Sequence, residues 1–153
     1  REAFRCYSQI SMAEALERNL FDEIMVRDIE PRLGIGKPTF IYDYPAQRRA
    51  MARLKQEDQA VSERFELYIG GLELANAFSE LINAEEQRNH FLQENINRHT
   101  LGKPTYPMPE KFLAELDNMS PSAGIALGVD RLVMVFLNVA TIDEVVSFTP
   151  EEL

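Results

Sequence analysis

The stretch that decides the fold is Ser122-Ala123-Gly124-Ile125-Ala126-Leu127-Gly128-Val129-Asp130-Arg131-Leu132-Val133-Met134. Small residues lead into an Asp-Arg pair and an apolar run, which predicts a glycine-rich turn and then a helix from about Val129. Gly124 and Gly128 allow the backbone to approach a ligand closely, because they carry no Cβ atom. Arg131 falls in the first helical turn, where its guanidinium can bind phosphate through two N–H groups.

The apolar residues of this helix are expected to fix its position. The spacing predicts a buried face made of Leu132, Val133, Val135 and Phe136. On its own the pattern has an equally good alternative, a packed turn whose arginine forms a structural salt bridge.

A second informative segment is Glu63-Arg64-Phe65-Glu66-Leu67-Tyr68-Ile69-Gly70-Gly71-Leu72-Glu73-Leu74-Ala75-Asn76-Ala77-Phe78-Ser79-Glu80. Alternating residues on both sides of Gly70-Gly71 predict a β-hairpin with a two-residue turn. In such a hairpin Glu66 and Glu73 are diagonal neighbours, roughly 7–8 Å apart. Two carboxylates at that separation can share a polyphosphate with Mg²⁺. Spacing alone favours the simpler interpretation, a solvent-exposed strand face with scattered glutamates.

Three polar or aromatic residues at the end of the hairpin share one parity. In a regular strand Asn76, Phe78 and Glu80 would lie on one face, where they could hold an aliphatic stem that ends in an ammonium group. The alternative is a strand that ends in a polar tip. A regular strand places Glu73 and Asn76 on opposite faces, so both can line one site only if a bulge or strong twist separates them.

Together, in this order and spacing, the two segments resemble the C-terminal half of a class II aminoacyl-tRNA synthetase catalytic domain. The resemblance is closest to lysyl-tRNA synthetases and their truncated paralogues, the elongation factor P–lysine ligases. Residues 121–136 look like motif 3 of that family, whereas nothing in the chain resembles motif 1 or motif 2. The resemblance implies an α+β fold, an antiparallel sheet flanked by helices, with residues 1–153 as the C-terminal part of the catalytic domain. The element order also suits this architecture.

The resemblance also implies the roles of particular residues. It makes ATP and Mg²⁺ the expected cofactors and reverses the preference for an exposed strand face at the two hairpin glutamates. The expected metal ligands are Glu66 and Glu73. The expected ATP-binding residues are Glu66, Glu73, Gly128 and Arg131, and Arg131 is also the expected catalytic residue. The expected lysine-binding residues are Asn76, Phe78, Glu80 and Ala126.

Departures from the family pattern favour the paralogue. Ala126 stands where lysyl-tRNA synthetases usually have glycine, and the C-terminus lacks their Pro-Arg-rich ending; Ala77 also replaces a usual glycine. The implied reaction activates lysine or β-lysine as an adenylate and transfers it to a lysine of elongation factor P. The alternatives are a fragment of lysyl-tRNA synthetase, which charges tRNA, and a non-catalytic binding or sensing module. The missing motifs predict that this chain alone is inactive, while the intact enzyme is expected to be a homodimer.

Composition is that of an ordinary globular domain. The 153 residues are 45% hydrophobic, which suits one domain with a core. The formal net charge of −9 argues mildly against a tRNA-gripping module, since nucleic-acid-binding surfaces are basic. A single cysteine cannot form an internal disulfide. No stretch approaches a membrane span or a signal peptide, so the expected location is the cytoplasm, with no membrane partner.

The spacing of apolar residues and the positions of capping residues, prolines and glycines predict the remaining helices and strands. The expected helices are 11–18 with a Ser11 cap, 21–29 ending at Pro31 and Gly34, 84–100 with Phe91, Leu92 and Ile96 inward, and a further helix around 112–116. The expected strands are 38–42, 62–69 and 72–78, and a short element is expected at 142–148.

Overall fold

The computed structural model describes residues 1–152, except for the side chain of Pro150. Its helices are α1 (Glu2–Tyr7), α2 (Met12–Glu17), α3 (Phe21–Ile24), α4 (Ala84–Thr100), α5 (Glu110–Leu116) and α6 (Val129–Leu137). Its strands are β1 (Thr39–Pro45), β2 (Val61–Ile69), β3 (Leu72–Ser79) and β4 (Ala123–Leu127), in the order β1-β2-β3-β4. An antiparallel sheet with helices agrees with the predicted α+β class.

The chain divides into two compact units. The first contains residues 1–42, 65–77 and those from 125 onward, and the second contains residues 43–64 and 78–124. The first unit has an apolar core that includes stacked Phe4 and Phe21 rings, whose centroids are 5.1 Å apart. The second unit is built around Leu81, Leu113 and Leu116, each at most 5% exposed.

The predicted hairpin is confirmed. β2 ends at Ile69 and β3 begins at Leu72, so only Gly70 and Gly71 form the turn. Their backbone φ angles are +61° and +79°, values that residues other than glycine rarely adopt. The turn is also tied to an earlier loop, because Gly70 N–H donates to Gly34 O (2.9 Å) and Gly71 N–H donates to Leu33 O (2.8 Å).

The N-terminal helices follow the sequence in part. The Ser11 hydroxyl accepts a hydrogen bond from Glu14 N–H (3.1 Å), which confirms the predicted cap. The segment predicted as one helix over 21–29 is helical, but only its first turn is an α-helix. The α-helix stops at Ile24 and continues as a π-helical turn over Met25–Ile29 and a 3₁₀ turn over Glu30–Arg32. Pro31 lies in the first positions of that last turn, where its missing N–H leaves no bond unmade.

Two further predictions need correction. The strand expected to stop before Tyr44 runs through Pro45, which is tolerated because β1 is at the edge of the sheet. On α4 the predicted bounds are confirmed, but the inward face is wrong, because Leu92 and Ile96 are 47% and 59% exposed. Gln87 is the buried residue of that helix instead.

The region from Ala123 onward also differs from its prediction. The predicted turn is a strand, β4, and the predicted start of the following helix at Val129 is confirmed. The predicted buried face of α6 is wrong, because Val133 and Phe136 are 37% and 79% exposed. Met134 is the buried residue of this helix. The element expected at 142–148 is a 3₁₀ turn, Ile142–Glu144, closed by a capping box with Thr141.

We predict that Gly34→Ala destabilises the first unit much more than Gly36→Ala. Both glycines have positive φ angles, +72° and +78°, so each substitution carries a similar backbone strain of about 1–2 kcal/mol. A Cβ atom at Gly34 would also lie 2.5 Å from Tyr68 O, whereas one at Gly36 would have no neighbour within 4 Å. Urea unfolding of the two variants measures the difference. Equal losses would show that the loop moves away from the hairpin without cost.

Candidate functional site

The carboxylate of Glu66 is buried inside the first unit. Glu66 is 6% exposed, and each of its two carboxylate oxygens accepts a hydrogen bond. The Tyr68 hydroxyl donates to Oε2 (2.7 Å) and the Asn76 side-chain amide donates to Oε1 (3.2 Å). The interpretation of this strand face as solvent-exposed is therefore wrong. A buried carboxylate is costly unless it is paired, so these two donors hold it in one orientation.

Asn76 follows two residues of β3 that are both buried, Leu74 and Ala75. Glu73 and Asn76, which flank these two residues, line the same cavity. A regular strand would place them on opposite faces, so this convergence is the arrangement that the sequence required of a bulge or strong twist between them.

That cavity collects much of the predicted site. Its volume is about 380 Å³. The predicted residues that line it are Glu73, Asn76, Ala126, Gly128 and Arg131, and the further lining residues are Leu74, Ala75, Leu127, Asp130 and Ile142. Glu66, Phe78 and Glu80 are not among the lining residues. Glu66 is buried within the first unit, whereas Phe78 and Glu80 belong to the second unit, where Glu80 N–H donates to Ser122 O (2.9 Å).

The Arg131 side chain is held against β3 by a hydrogen bond to the backbone of that strand. One guanidinium N–H donates to Glu73 O (2.8 Å), and the nearest Glu73 carboxylate oxygen is 3.9 Å from the same nitrogen. About half of the arginine side chain is exposed (49%). The guanidinium is thus anchored at one edge of the cavity and still accessible from solvent, so the structure accommodates both the ligand-binding interpretation and the structural salt bridge.

The two glycines of the opening stretch have different surroundings. Gly128 N–H donates to Leu74 O (2.8 Å), and a Cβ atom at Gly128 would make ordinary contact with the Arg131 side chain at 3.5 Å. A Cβ atom at Gly124 would lie 3.2 Å from a Glu80 carboxylate oxygen. Gly124 therefore leaves room for Glu80 within the second unit.

Glu30 is a residue of this site that the sequence did not reveal. It follows the π-helical turn and is half-buried. Burial raises the pKa of its carboxyl, and the neighbouring charges of Glu66 and Glu73 raise it further, against opposing effects of a Tyr68 hydrogen bond and Arg131. Three carboxyl groups from three elements thus interact beside one arginine. The only sequence signal was an acidic residue before Pro31, which is too common to indicate a site.

The donor set suits a hard cation. Carboxylate oxygens are the ligands that Mg²⁺ prefers, and Mg²⁺ commonly takes only one or two of them together with phosphate oxygens and water. Among residues 1–152 no group of three or more His, Cys, Asp or Glu side chains is arranged as a metal centre. Glu66 and Glu73 as ligands of an ATP-bound Mg²⁺ stay a prediction, one that the chemistry of these oxygens fits.

We predict that Glu30→Gln stabilises the chain more at pH 7 than at pH 4. Because the folded-state pKa of Glu30 is raised, its contribution to stability is full below the unfolded pKa and is lost as the pH rises through the folded pKa. Glutamine does not ionise, so the variant avoids this loss of stability at neutral pH. Urea unfolding midpoints of wild type and variant at the two pH values measure the difference in stability.

Glu144→Gln is the control for this experiment, with the opposite sign. Hydrogen bonds from Thr141 lower the pKa of Glu144, so its contribution is present at neutral pH and is lost on acidification. This variant should lose stability at pH 7 and approach wild type in acid. A pH-independent effect of Glu30→Gln would contradict the proximity of the three carboxyl groups.

Comparison with known proteins gives a consistent result. The family model described as tRNA synthetases class II (D, K and N) matches residues 2–152. A protein of Proteus mirabilis (strain HI4320) named elongation factor P–(R)-β-lysine ligase is 44% identical over 142 residues, which are 92% of this chain and 44% of that protein. Proteins of the same name are 48% identical over 124 residues in Avibacterium paragallinarum and 43% identical over 143 residues in Klebsiella pneumoniae subsp. pneumoniae.

The coverage of these relatives is partial. The Avibacterium match covers 80% of this chain and 38% of that protein, and the Klebsiella match covers 93% and 44%. The chain thus spans less than half the length of these relatives. In the described part of the chain, no helix has both the length and the apolar character to cross a membrane. The family match over nearly the whole sequence is decisive, and the chain belongs to the class II tRNA synthetase family, in the group described as D, K and N.

Proposed function

We propose that this chain is the C-terminal part of the catalytic domain of an ATP-dependent ligase that activates lysine or β-lysine and transfers it to a lysine of elongation factor P. The observation that carries the proposal is the cavity that gathers Glu73, Asn76, Ala126, Gly128 and Arg131. These are five of the eight residues that the resemblance assigns to ATP and lysine. The names of relatives that are 43–48% identical support the same reaction.

The proposed reaction has two steps. In the first, an oxygen of the amino-acid carboxylate attacks the α-phosphorus of ATP, an O–P bond forms, and pyrophosphate leaves with the electrons of the α–β phosphoanhydride bond. In the second, the neutral ε-amine of the acceptor lysine attacks the carbonyl carbon of the adenylate. An amide forms, AMP leaves, and the amine loses a proton to solvent. Neither step requires a protein nucleophile, so positioning and electrostatics supply the catalysis.

Particular residues of the chain have distinct roles in this proposal. Arg131, anchored on Glu73 O, places a permanent positive charge beside the cavity, where it stabilises charge on the phosphates. Glu66 and Glu73 would hold Mg²⁺, which when bound neutralises phosphate charge. Tyr68 and Asn76 keep the Glu66 carboxylate in one orientation.

The lysine-binding side of the proposal combines cavity geometry with the family resemblance. Asn76 and Ala126 line the cavity, whereas Phe78 and Glu80 as the lysine-binding pair rest on the family resemblance. The methyl group of Ala126 fills space that glycine would leave open, and such shape differences discriminate substrates by roughly 1–3 kcal/mol. We therefore infer a preference for β-lysine. A cytoplasmic location and a homodimeric intact enzyme belong to the same proposal.

We predict that Arg131→Lys strongly reduces adenylate formation although it keeps the charge. A single ammonium cannot reproduce a planar guanidinium that binds Glu73 O and phosphate together, so we expect a rate lower by about a hundredfold. The test uses a chimera in which this chain replaces the matched region of the Proteus mirabilis ligase, with amino-acid-dependent pyrophosphate exchange as the readout. The separate 153-residue chain should show no exchange.

Arg18→Lys is the matched control, because Arg18 is also a half-exposed arginine in an ion pair with a glutamate, Glu14. It should leave the exchange rate unchanged. A near-normal rate for Arg131→Lys would instead make Arg131 a structural salt-bridge residue.

We also predict that the chimera uses β-lysine in preference to α-lysine and labels elongation factor P rather than tRNA. The measurement offers both isomers and both acceptors and follows radiolabel into each product. Ala126→Gly should narrow the difference between the isomers. Efficient charging of tRNA with α-lysine would favour the synthetase, and binding without any transfer would favour a non-catalytic module.

A further inference from the structure

A buried arginine joins two segments of the second unit. Arg49 is 8% exposed, and its guanidinium donates to a carboxylate oxygen of Glu86 (2.6 Å), in the first turn of α4. A guanidinium removed from water is costly unless it has a charged partner. The ion pair is therefore a fixed link between helix α4 and the segment that contains Arg49.

The turn that begins at Arg49 has a strained backbone. Ala50 has a φ angle of +54°, a value that residues with a side chain rarely adopt. Ala52 N–H donates to Arg49 O (3.0 Å) and closes the turn. Such a conformation persists only where its surroundings fix it, and strained residues concentrate at functional sites. The ion pair with Glu86 fixes the first residue of this turn.

The residues that follow the turn pair with the end of β3. Leu81 N–H donates to Met51 O (3.0 Å), and Arg53 N–H donates to Ser79 O (2.8 Å). Glu80 lies between Ser79 and Leu81, so these two bonds hold the backbone on both sides of it. The position of the turn therefore sets the position of the Glu80 backbone.

These contacts close a ring within the second unit. From Glu80 the chain runs into α4, whose first residues are held by a hydrogen bond from Glu86 N–H to the Asn83 side chain (2.8 Å). The ion pair then leads back from Glu86 to Arg49 and so to the turn. Loss of the ion pair opens this ring, although Glu80 N–H keeps its bond to Ser122 O. We therefore expect a graded effect on Glu80 rather than complete release.

We propose that Arg49 is a positioning residue for Glu80, the carboxylate that the family resemblance assigns to lysine binding. Arg49 acts through Glu86 and the strained turn and does not touch the substrate. A carboxylate selects a terminal ammonium well only when it is held in one position, because a charge-assisted bond depends on its geometry. This inference rests on the proposed function, since it concerns how the amino-acid substrate is selected.

The experiment introduces Arg49→Met into the chimera with the Proteus mirabilis ligase and measures β-lysine-dependent pyrophosphate exchange. We expect the KM for β-lysine to rise about tenfold with little change in kcat, because the substrate ammonium loses a well-placed partner. The KM for ATP should change by at most about twofold, since the residues assigned to ATP belong to the first unit.

A substrate analogue separates positioning from general structural damage. The probe is the β-amino acid of the same chain length that lacks the terminal amine, used as a competitive inhibitor of exchange. Its inhibition constant should change by at most about twofold in Arg49→Met, because it offers no ammonium to Glu80. An arginine with a merely structural role would weaken β-lysine and the analogue alike.

Two further variants test the route through Glu86. Glu86→Gln should raise the KM for β-lysine as Arg49→Met does, and the double variant should lose no more than the more affected single variant, because both changes break one link. Arg49→Lys keeps the charge and should recover part of the loss. Additive losses would show that the two residues act separately and would overturn the proposal.

Arg88→Met is the matched control, because Arg88 also links α4 to a glutamate of the second unit, Glu110 (2.8 Å). It should leave all of these constants unchanged. Hydrogen exchange of the Glu80 and Leu81 amides in the same chimeras gives a readout that does not require activity. These amides should exchange faster in Arg49→Met and Glu86→Gln than in wild type or Arg88→Met.

The outcomes separate this inference from the proposed function. Unchanged amide exchange at Glu80 and Leu81 overturns the inference, and so does an equal loss for β-lysine and the analogue. An inactive wild-type chimera counts against the proposed function alone, and amide exchange then decides whether Arg49 holds Glu80. Circular dichroism checks folding; if Arg49→Met does not fold, Glu86→Gln carries the same comparison, because the Glu86 side chain is 45% exposed.

Discussion

The burial of the Glu66 carboxylate is the constraint on which the site depends. A charge removed from water is tolerated only when its oxygens accept hydrogen bonds, and here Tyr68 and Asn76 donate them. Asn76 also lines the cavity together with Glu73. The amide that holds the buried acid is thus part of the cavity wall.

The backbone of β3 carries the rest of this arrangement. The carbonyl of Leu74 accepts from Gly128 N–H, and the carbonyl of Glu73 accepts from the Arg131 guanidinium. Adjacent carbonyls of one strand therefore fix both the start of α6 and its arginine. These two contacts are to the backbone, and the Glu73 carboxylate in addition lies 3.9 Å from the Arg131 guanidinium.

Helix α6 combines this fixed site with an uncovered surface. Its buried side supplies Met134 to the core of the first unit, and its opposite side leaves Phe136 79% exposed. The cavity adjoins this surface, because Leu127 of β4 and Gly128, which precedes α6, line it.

The sequence by itself determined the features that depend on near neighbours. The Gly70-Gly71 turn, the Ser11 cap, the bounds of α4 and the start of α6 follow from backbone preferences and local hydrogen bonds, and all are confirmed. It also determined the family, because the two motifs keep their residues in order along the chain.

Only the tertiary structure decided which surfaces are covered. It buried Glu66, brought Glu73 and Asn76 to one cavity, brought Glu30 beside Glu66 and Glu73, and left Phe136 exposed. Apolar periodicity shows that a helix has a face to bury, but it does not show whether a neighbour is present to bury it. Burial depends on contacts between segments distant in the chain, and no local pattern encodes them.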